Sequence, residues 1–390
     1  MTFSILTRGG IFTFGLAFSL ATLAPRAGFA ANEPYFVGAV LSESGPGSSL
    51  GRPEADSVQL AVDEINKAGG VSGRQLTVQI LDDESNATTA VNDVRQLLDK
   101  HPIAIIGSSL TQPTLAMMPL VQGASIPLIS LASNAQIIEP VAERQWVFKM
   151  PITDTHVAEL MQAHLKAQKQ LKISFVYRDD DYGKTGMQHF KEAPDAGSFD
   201  IVSADAITAT ASDATTQLTH VKAADPQAVV VWTTLPSSNV VIKGYRELSL
   251  TYPILYSDGS ATGIFPAQAG SLLDGAYIAS TKINVVDELS NNDPQKKVLQ
   301  HYVAGFLAAY PKDGAVSIFG GFGYDSVYVL KAALEQAKSA DGARLRAVLE
   351  HVIYSGVTGT FRLSPRDHNG LSVDSLVLTR IENGKFRIAK

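Results

Sequence analysis

A serine-hydrolase signature lies near the start of the chain, within the stretch LSESGPGSSLG at positions 41–51. The letters GSSLG match the GxSxG motif and place Ser49 at the position of the nucleophile, which in such enzymes sits on a sharp turn between a strand and a helix. An apolar run at 35–41 predicts the strand, but the helical pattern begins only at Pro53. We therefore expect Ser49 to lie in a loop that presents amides and hydroxyls. A secreted serine hydrolase using Ser49 is the alternative from another functional class.

Other catalytic or metal chemistry finds little support in the residue spacing. The eight histidines are scattered, and no HExxH motif or close His/acid cluster is present. The acids at 179–181 lack the alternation, the central glycine and the terminal glutamate of an EF-hand loop. The letters DYGKTG at 181–186 resemble the end of a P-loop, but Arg178 stands where the leading glycine is needed. We expect no enzymatic activity, no metal and no cofactor.

A candidate anion site lies at 107–111, where GSSLT follows an apolar run and precedes a helical pattern. The first N–H groups of a helix have no partner within the helix, and the helix dipole favours negative charge there. Ser109 and Thr111 are therefore candidates for contacting a carboxylate. Small polar residues also follow the other three strands predicted in this half, as SESG at 42–45, DDES at 82–85 and SLASN at 130–134.

The elements that position these loops alternate between strand and helix. The first block has predicted strands at 35–41, 75–82, 102–107 and 126–130 and helices at 53–68, 86–100 and 111–123. A second block repeats the pattern, with strands at 172–177, 199–207, 228–232 and 253–256 and helices at 183–193, 213–224 and 237–248. Helices at 293–310, 322–338 and 343–352 follow, and then strands at 359–363, 375–379 and 385–388. This order predicts an α/β fold of two Rossmann-like lobes with parallel central sheets, whose ligands bind beyond the carboxyl ends of the strands.

The first thirty residues have the features of a secretory signal peptide. Arg8 supplies the positive charge, an apolar stretch at 11–24 is too short to span a bilayer, and GFA at 28–30 has the small-x-small pattern of a cleavage site. We expect cleavage near Ala30. Cysteine is absent from all 390 residues and the net charge is −6, which excludes a disulfide framework and argues against nucleic-acid binding. An exported, monomeric protein of the bacterial periplasm fits these features.

The chain resembles the type I periplasmic binding proteins, and specifically the branched-chain amino-acid-type substrate-binding proteins of ABC transporters. The resemblance rests on the order and spacing of short motifs along nearly the whole mature chain. They are SGP at 44–46, AVDEIN at 61–66, AGG at 68–70, Gly73, DD at 82–83, IIG at 105–107, IPLIS at 126–130, DYG at 181–183, YDSV at 324–327 and GVTGTF at 356–361. In this family two lobes, joined by a three-stranded hinge, close on a small ligand, and the closed form docks on a membrane permease.

The resemblance also implies how the chain is divided. The N-terminal lobe would comprise 31–152 and 282–355, and the C-terminal lobe 153–281 and 356–390, with the ligand cleft between them. A ligand sensor that docks on a membrane receptor instead of a permease has the same sequence features, so this alternative stays open.

The resemblance implies a set of ligand-binding positions. Thr111 matches the family residue whose hydroxyl and amide contact the ligand carboxylate. Ala132 matches a residue that contacts the ligand through its backbone, and Asn134 matches a polar side chain that reaches the carboxylate or the ammonium. From the other lobe, Tyr182 matches an aromatic residue that meets the ligand. Asp258 matches the acid that pairs with an α-ammonium, although a turn residue before a glycine is its alternative role.

Two positions depart from the branched-chain pattern. Leu50 and Leu235 stand where an aromatic residue often covers the ligand side chain. Aliphatic residues there would change the side-chain pocket and put leucine or valine in doubt as the ligand. We expect an amino acid, branched-chain or related, with an aromatic hydroxycarboxylate as the alternative because binders of such acids share the fold.

Overall fold

The structure, a computed structural model, describes residues 1, 33–312 and 314–389. Beyond its first residue, the predicted signal peptide at 1–30 lies outside these described residues. Pro34–Lys390 form one compact unit. Within the described ranges, no helix combines the length and the apolar character that a membrane crossing requires.

The first block of the sequence forms a sheet of five parallel strands. Its strands and helices are β1 (Tyr35–Leu41), α1 (Ser48–Lys67), β2 (Leu76–Asp82), α2 (Ala87–Leu98), β3 (Ile105–Gly107), α3 (Thr111–Gly123), β4 (Leu128–Ser130) and β5 (Val147–Lys149). The strand order is β2-β1-β3-β4-β5. Strands β3, β4 and β5 are buried along their whole length, as expected when helices cover both faces of a parallel sheet.

The second block forms the parallel part of another sheet. Its strands and helices are α4 (Asp154–Ala167), β6 (Lys172–Arg178), α5 (Asp181–Glu192), β7 (Asp200–Ile207), α6 (Thr215–Ala224), β8 (Ala228–Trp232), α7 (Ser237–Glu247), β9 (Ile254–Tyr256), α8 (Ile264–Ala269) and β10 (Tyr277–Thr281). The full sheet has seven strands in the order β14-β13-β10-β9-β8-β6-β7, and its strands β13 (Leu376–Glu382) and β14 (Lys385–Ile388) come from the C-terminal part of the chain. The two sheets confirm the predicted α/β fold with a parallel sheet in each lobe.

The C-terminal part of the chain serves both lobes. Its elements are α9 (Lys296–Ala309), α10 (Ile318–Ala337), α11 (Gly342–Leu349), β11 (Ile353–Ser355), β12 (Thr360–Arg362), β13 (Leu376–Glu382) and β14 (Lys385–Ile388). Helix α10 packs along α1 of the first lobe, and a side chain at Gly323 would come within 2.5 Å of the Glu54 carbonyl oxygen. Strand β13 instead pairs antiparallel with β10 of the second lobe.

Hydrogen bonds fix the segments that cross between the lobes. The carboxylate of Asp325 on α10 accepts from the backbone N–H of Val357 at 2.9 Å and from both the N–H and hydroxyl of Thr358, at 2.8 and 2.5 Å. The side-chain amide of Asn369 donates to the carbonyls of Lys149 at 2.9 Å and Pro151 at 2.8 Å. The crossings near 150 and 357 are therefore tied to neighbouring elements, as a hinge requires. The exact limits of the lobes stay a prediction.

Most element bounds agree with the sequence-based expectations to within a few residues, and α1 is the exception that matters. The helix begins at Ser48, five residues before Pro53. Pro53 is the sixth residue of the helix and lies inside it, where the N–H that proline lacks would otherwise bond to the Ser49 carbonyl. Because proline is common at the first position of a helix and rare inside one, the sequence pattern places the start at Pro53. Ser49 lies in the first turn of α1 and not in a loop, so that expectation was wrong.

Replacing Asp325 with alanine should destabilise the fold strongly. The buried N–H groups of Val357 and Thr358 would lose their acceptor, and an unpaired buried donor costs about 1–3 kcal/mol. We expect Asp325→Ala to lower the free energy of unfolding by about 3 kcal/mol in urea titrations. Glu335→Ala removes an exposed pair with Lys331 and should cost under about 0.5 kcal/mol. Equal effects of the two substitutions would contradict the anchoring role of Asp325.

Candidate functional site

A cavity of about 210 Å³ lies between the carboxyl ends of the strands of both sheets. The first lobe lines it with the loops after β1 to β4 and with two phenylalanines of α10, Phe319 and Phe322. The second lobe contributes the ends of β6, β7, β8 and β9. This is the position at which open parallel sheets bind ligands. Sites for drug-sized ligands usually measure about 300–1,000 Å³, so this cavity suits a smaller molecule.

The start of α3 presents unpaired amides to the cavity. The residue before the helix is Leu110, which has no side-chain group to cap the first N–H groups. Thr111 and Gln112, the first two helical residues, both line the cavity, and Thr111 is only 6% exposed. Helix starts are normally capped by Ser, Thr, Asp or Asn. An uncapped start that faces a cavity is a ready binding site for an anion such as a carboxylate.

Ser109 supports this helix start through internal hydrogen bonds. Its hydroxyl accepts from the N–H of Ser42 at 3.0 Å and donates to the buried carboxyl of Glu54 on α1. Burial raises the pKa of Glu54 well above its usual value. Ser109 lines the cavity, but its hydroxyl already has partners within the protein.

A second buried acid joins the loops that follow β1, β2 and β3. Asp83 accepts from the hydroxyl of Ser42 at 2.7 Å, from the hydroxyl of Ser108 at 2.5 Å and from the N–H of Ser85 at 2.8 Å. These bonds hold three separate loops at one edge of the sheet. The polar residues after the strands thus contact one another as well as the cavity.

Asp258 and Tyr182 face the cavity from the second lobe. The Tyr182 hydroxyl donates to the Asp258 carboxylate at 3.2 Å and lies 3.0 Å from the hydroxyl of Ser257. The Gly259 N–H donates to the Tyr182 oxygen at 3.1 Å. Asp258 is 4% exposed, and burial, reinforced by the nearby charge of Asp154, raises its pKa to about 7. A cationic ligand group beside Asp258 would therefore favour its ionised form.

A buried lysine lies near this acid. Lys149, the last residue of β5, is fully buried, and its ammonium donates to the Ser133 carbonyl at 2.5 Å. Burial lowers its pKa to about 8, against the opposing influence of Asp154, Glu139 and Asp258. The cationic form of Lys149 in turn lowers the pKa of Asp258. Sequence analysis missed Lys149 because only the tertiary fold places it among these acids.

Two side-chain hydrogen bonds link the two lobes, one of them between residues that line the cavity. Gln112 at the start of α3 donates to the carboxylate of Asp181 on α5. Asn134 donates from its amide nitrogen to the hydroxyl of Thr185 at 3.1 Å. Such direct bonds between the lobes are typical of a closed cleft.

Six of the eight predicted site residues line the cavity. They are Leu50, Ser109, Thr111, Ala132, Tyr182 and Asp258. The other two, Asn134 and Leu235, do not line it: Asn134 is used in the bond to Thr185, and Leu235 borders a shallower depression outside. The Ala132 N–H donates to the Ser130 hydroxyl at 3.1 Å, so this amide is engaged within the protein.

Several polar lining residues were not predicted. Arg178 and Thr234 line the second lobe's side together with the acids Asp180 and Asp181. A signal for Arg178 was present in the sequence, because a cation ends a strongly apolar strand at the edge where ligands bind. In the sequence alone, Arg178 serves only as evidence against a P-loop.

Ser49 lacks the partners of a nucleophile. Its hydroxyl oxygen is buried and forms no hydrogen bond with any described residue, whereas a catalytic serine needs an adjacent base. Among the described residues, no group of three or more potential ligands has a geometry that would hold a metal ion.

Comparison with protein families gives a match over nearly the whole chain. A family model described as periplasmic binding protein matches residues 34–385. The Leu/Ile/Val-binding protein BraC3 of Rhizobium johnstonii is 26% identical over 383 residues, which cover 95% of this chain and 98% of that protein. A leucine-, isoleucine-, valine-, threonine- and alanine-binding protein of Pseudomonas aeruginosa is 20% identical over 81% of this chain and 82% of its own length.

Solved structures share the fold. An extracellular ligand-binding receptor from Rhodopseudomonas palustris HaA2 superposes with a TM-score of 0.85 at 26% identity, over 91% of this chain and 99% of the receptor. The branched-chain amino acid transporter substrate-binding protein LivJ from Streptococcus pneumoniae, in complex with isoleucine, gives a TM-score of 0.80 at 23% identity. That match covers 92% of this chain and 99% of LivJ.

Replacing Asp258 with asparagine should stabilise the ligand-free protein at alkaline pH. The pKa of Asp258 is about 7 in the fold and about 3.9 in an unfolded chain, so its contribution to stability falls as pH rises from 4 to 7. Asparagine is neutral throughout and avoids this loss. We expect Asp258→Asn to raise the free energy of unfolding at pH 8 by about 2–4 kcal/mol, with little difference at pH 4.

Urea titrations at both pH values measure this difference. Asp63→Asn, an exposed substitution on α1, is the control and should leave the free energy of unfolding within about 0.5 kcal/mol at both pH values. A parent protein at least as stable as Asp258→Asn at pH 8 would contradict the buried, costly charge of Asp258.

Proposed function

Because this chain belongs to the periplasmic binding protein family, we propose that it captures a small α-amino acid in the periplasm and delivers it to the membrane permease of an ABC transporter. The chain is a binding protein and not an enzyme. The single observation that carries the amino-acid proposal is the pairing, within one cavity, of an uncapped helix start and a buried carboxylate. An amino acid in solution is a zwitterion, and these two groups complement its two ends.

The carboxylate end would lie at the start of α3. The amides of Thr111 and Gln112 and the hydroxyl of Thr111 would donate to it, assisted by the helix dipole. Because the side chain before the helix cannot cap these amides, a ligand carboxylate has no competitor within the protein.

The ammonium end would lie at Asp258. A cation in contact favours the ionised carboxylate of Asp258, and the Tyr182 hydroxyl holds the carboxylate in place through its hydrogen bond of 3.2 Å. Charge-assisted hydrogen bonds of this kind are strengthened when a closed cleft excludes water.

The remaining lining leaves room for a modest side chain. Leu50, Phe319 and Phe322 provide the apolar surface, and the cavity measures about 210 Å³. The relatives from Rhizobium johnstonii and Pseudomonas aeruginosa are both named for binding leucine, isoleucine and valine, and the second also for threonine and alanine. These names support an amino acid as the ligand class. The choice among amino acids is a separate question, because the lining also contains polar side chains such as Arg178 and Thr234, which an aliphatic side chain would leave without partners.

Closure explains how binding leads to delivery. The carboxylate site belongs to the first lobe and the ammonium site to the second, so neither lobe alone holds both ends of the ligand. The ligand therefore stabilises the closed conformation, in which Gln112 reaches Asp181. The permease would recognise that conformation.

Binding of amino acids should weaken as the pH falls below 7. An ammonium binds the ionised form of Asp258, whose pKa in the protein is about 7. Each pH unit below that value therefore lowers the ionised fraction, and with it the affinity, about tenfold. A thermal-shift screen of amino acids identifies the ligand, and calorimetry from pH 5 to 8 then measures its Kd. Asp258→Asn should bind at least tenfold more weakly at pH 8 and lose the pH dependence.

A matched ligand separates the ammonium contact from the rest of the site. The deamino analogue of the best amino acid keeps the carboxylate and the side chain and lacks the ammonium. It should bind the parent at pH 8 far more weakly than the amino acid, and it should bind Asp258→Asn no more weakly than it binds the parent. Equal affinity of the parent for the two ligands would overturn the role of Asp258, and binding only of aromatic hydroxy acids would replace the amino-acid proposal.

A further inference from the structure

The cavity contains a buried cation that the contacts proposed above for the carboxylate and the ammonium leave unused. Arg178, the last residue of β6, lines the cavity and is 6% exposed. Its Nε donates to the carboxylate of Asp180 and its Nη1 to the hydroxyl of Thr234. A guanidinium has five N–H donors. No other hydrogen bond joins its guanidinium to the described residues, so the remaining N–H donors are unused on a residue that lines the cavity.

The position of Arg178 is separate from the ammonium site. The second sheet runs β9-β8-β6 in this region, so Asp258 after β9 and Arg178 on β6 lie on strands two spacings, or about 10 Å, apart. Thr234 follows the strand between them. Since the cavity is small, a ligand that fills it contacts Arg178 with an atom other than its ammonium.

The neighbouring charges decide which kind of atom this is. Asp180 is paired with Arg178, and its other oxygen accepts from the Gly183 N–H at 3.1 Å at the start of α5. Asp181 adds another carboxylate to the lining. An anionic ligand group beside Arg178 would therefore meet a cation that is already neutralised and a nearby acid that repels it. A neutral oxygen acceptor meets only the unused N–H donors.

We propose that Arg178 determines specificity by donating hydrogen bonds to a neutral oxygen on the ligand's side chain, and that the preferred ligand is an amino acid with a side-chain carboxamide. This inference rests on the proposed function, since it takes the zwitterion contacts at α3 and Asp258 as given. Thr234 holds the guanidinium in the plane in which it donates. The apolar lining of Leu50, Phe319 and Phe322 contacts the methylene groups.

The physical basis is that burying a hydrogen-bond donor without a partner costs more free energy than a formed hydrogen bond contributes. An apolar ligand side chain against Arg178 displaces water from the N–H donors and provides no acceptor, so each unpaired donor makes the free energy of binding less favourable. A site built to hydrogen-bond a ligand group therefore rejects the analogue that lacks it much more strongly than an apolar pocket rejects a small change of size. A carboxamide satisfies the donors without adding charge.

Two sets of ligands of matched shape test the proposal by calorimetry at pH 8. Leucine, asparagine and aspartate each branch at the γ position, and homoleucine, glutamine and glutamate branch one carbon further out. In at least one set, the amide should bind the parent protein at least tenfold more tightly than both the hydrocarbon and the acid. Hydrocarbons that bind as tightly as the amides, or acids that bind more tightly, would overturn the proposal.

Variants of Arg178 then assign the preference to this residue. Arg178→Met should reduce the affinity ratio of amide to hydrocarbon to about one. Arg178→Lys keeps a charge beside Asp180 for folding but lacks the planar fork, and it should reduce the ratio at least threefold. Lys184→Met removes an exposed cation from α5, where it pairs with Asp179, and should leave the ratio unchanged. An unaltered ratio in folded Arg178→Met or Arg178→Lys would overturn the role of Arg178.

The outcomes separate this inference from the function on which it rests. If no amino acid binds the parent, the proposed function fails. If leucine binds as tightly as asparagine and homoleucine as tightly as glutamine, the role of Arg178 fails and the amino-acid function stands.

Discussion

The constraint on which the rest of the structure depends is that one cavity holds both the uncapped start of α3 and the buried carboxylate of Asp258. The unpaired amides at the start of α3 belong to one lobe, and the buried carboxylate of Asp258 belongs to the other. Both would be hydrated in an open cleft and lose that hydration on closure. In the proposed function, closure is therefore favourable only with a molecule that supplies an anion at one end and a cation at the other. This requirement links the stability of the closed form to the identity of the ligand.

The rest of the cleft is built to keep these groups fixed. Asp83 ties three loops together at the edge of the first sheet, and Glu54 holds Ser109 beside α3. Both acids are buried and neither lines the cavity, so their role is to position loops. Lys149 acts differently, because its charge opposes the rise in the pKa of Asp258 and keeps part of that acid ionised near neutral pH.

The sequence predicts the fold well and the site in part, for identifiable reasons. Alternating strand and helix patterns are local, and they locate the loops after each strand, including the one that carries Thr111. The prediction that Asp258 and Tyr182 contact the ligand depends on the family resemblance, because no local pattern identifies them. The start of α1 is predicted five residues too late because proline is common at the first position of a helix and rare inside one, whereas Pro53 lies inside α1. Lys149 was missed because its burial depends on contacts distant in the sequence.

Arg178 shows why the choice of ligand is harder to predict than the fold. Many side chains at the end of β6 are compatible with the parallel sheet, so the strand pattern does not predict which one stands there. The orientation of Arg178 depends on its hydrogen bonds to Thr234, in the loop after the neighbouring strand, and to Asp180, in the turn that follows β6. Together they orient a buried guanidinium whose charge is already balanced. In the role that we propose for Arg178, a cation whose charge is balanced selects by hydrogen-bond geometry instead of by charge. The same fold could then bind the two ends of an amino acid in one way and still distinguish among side chains.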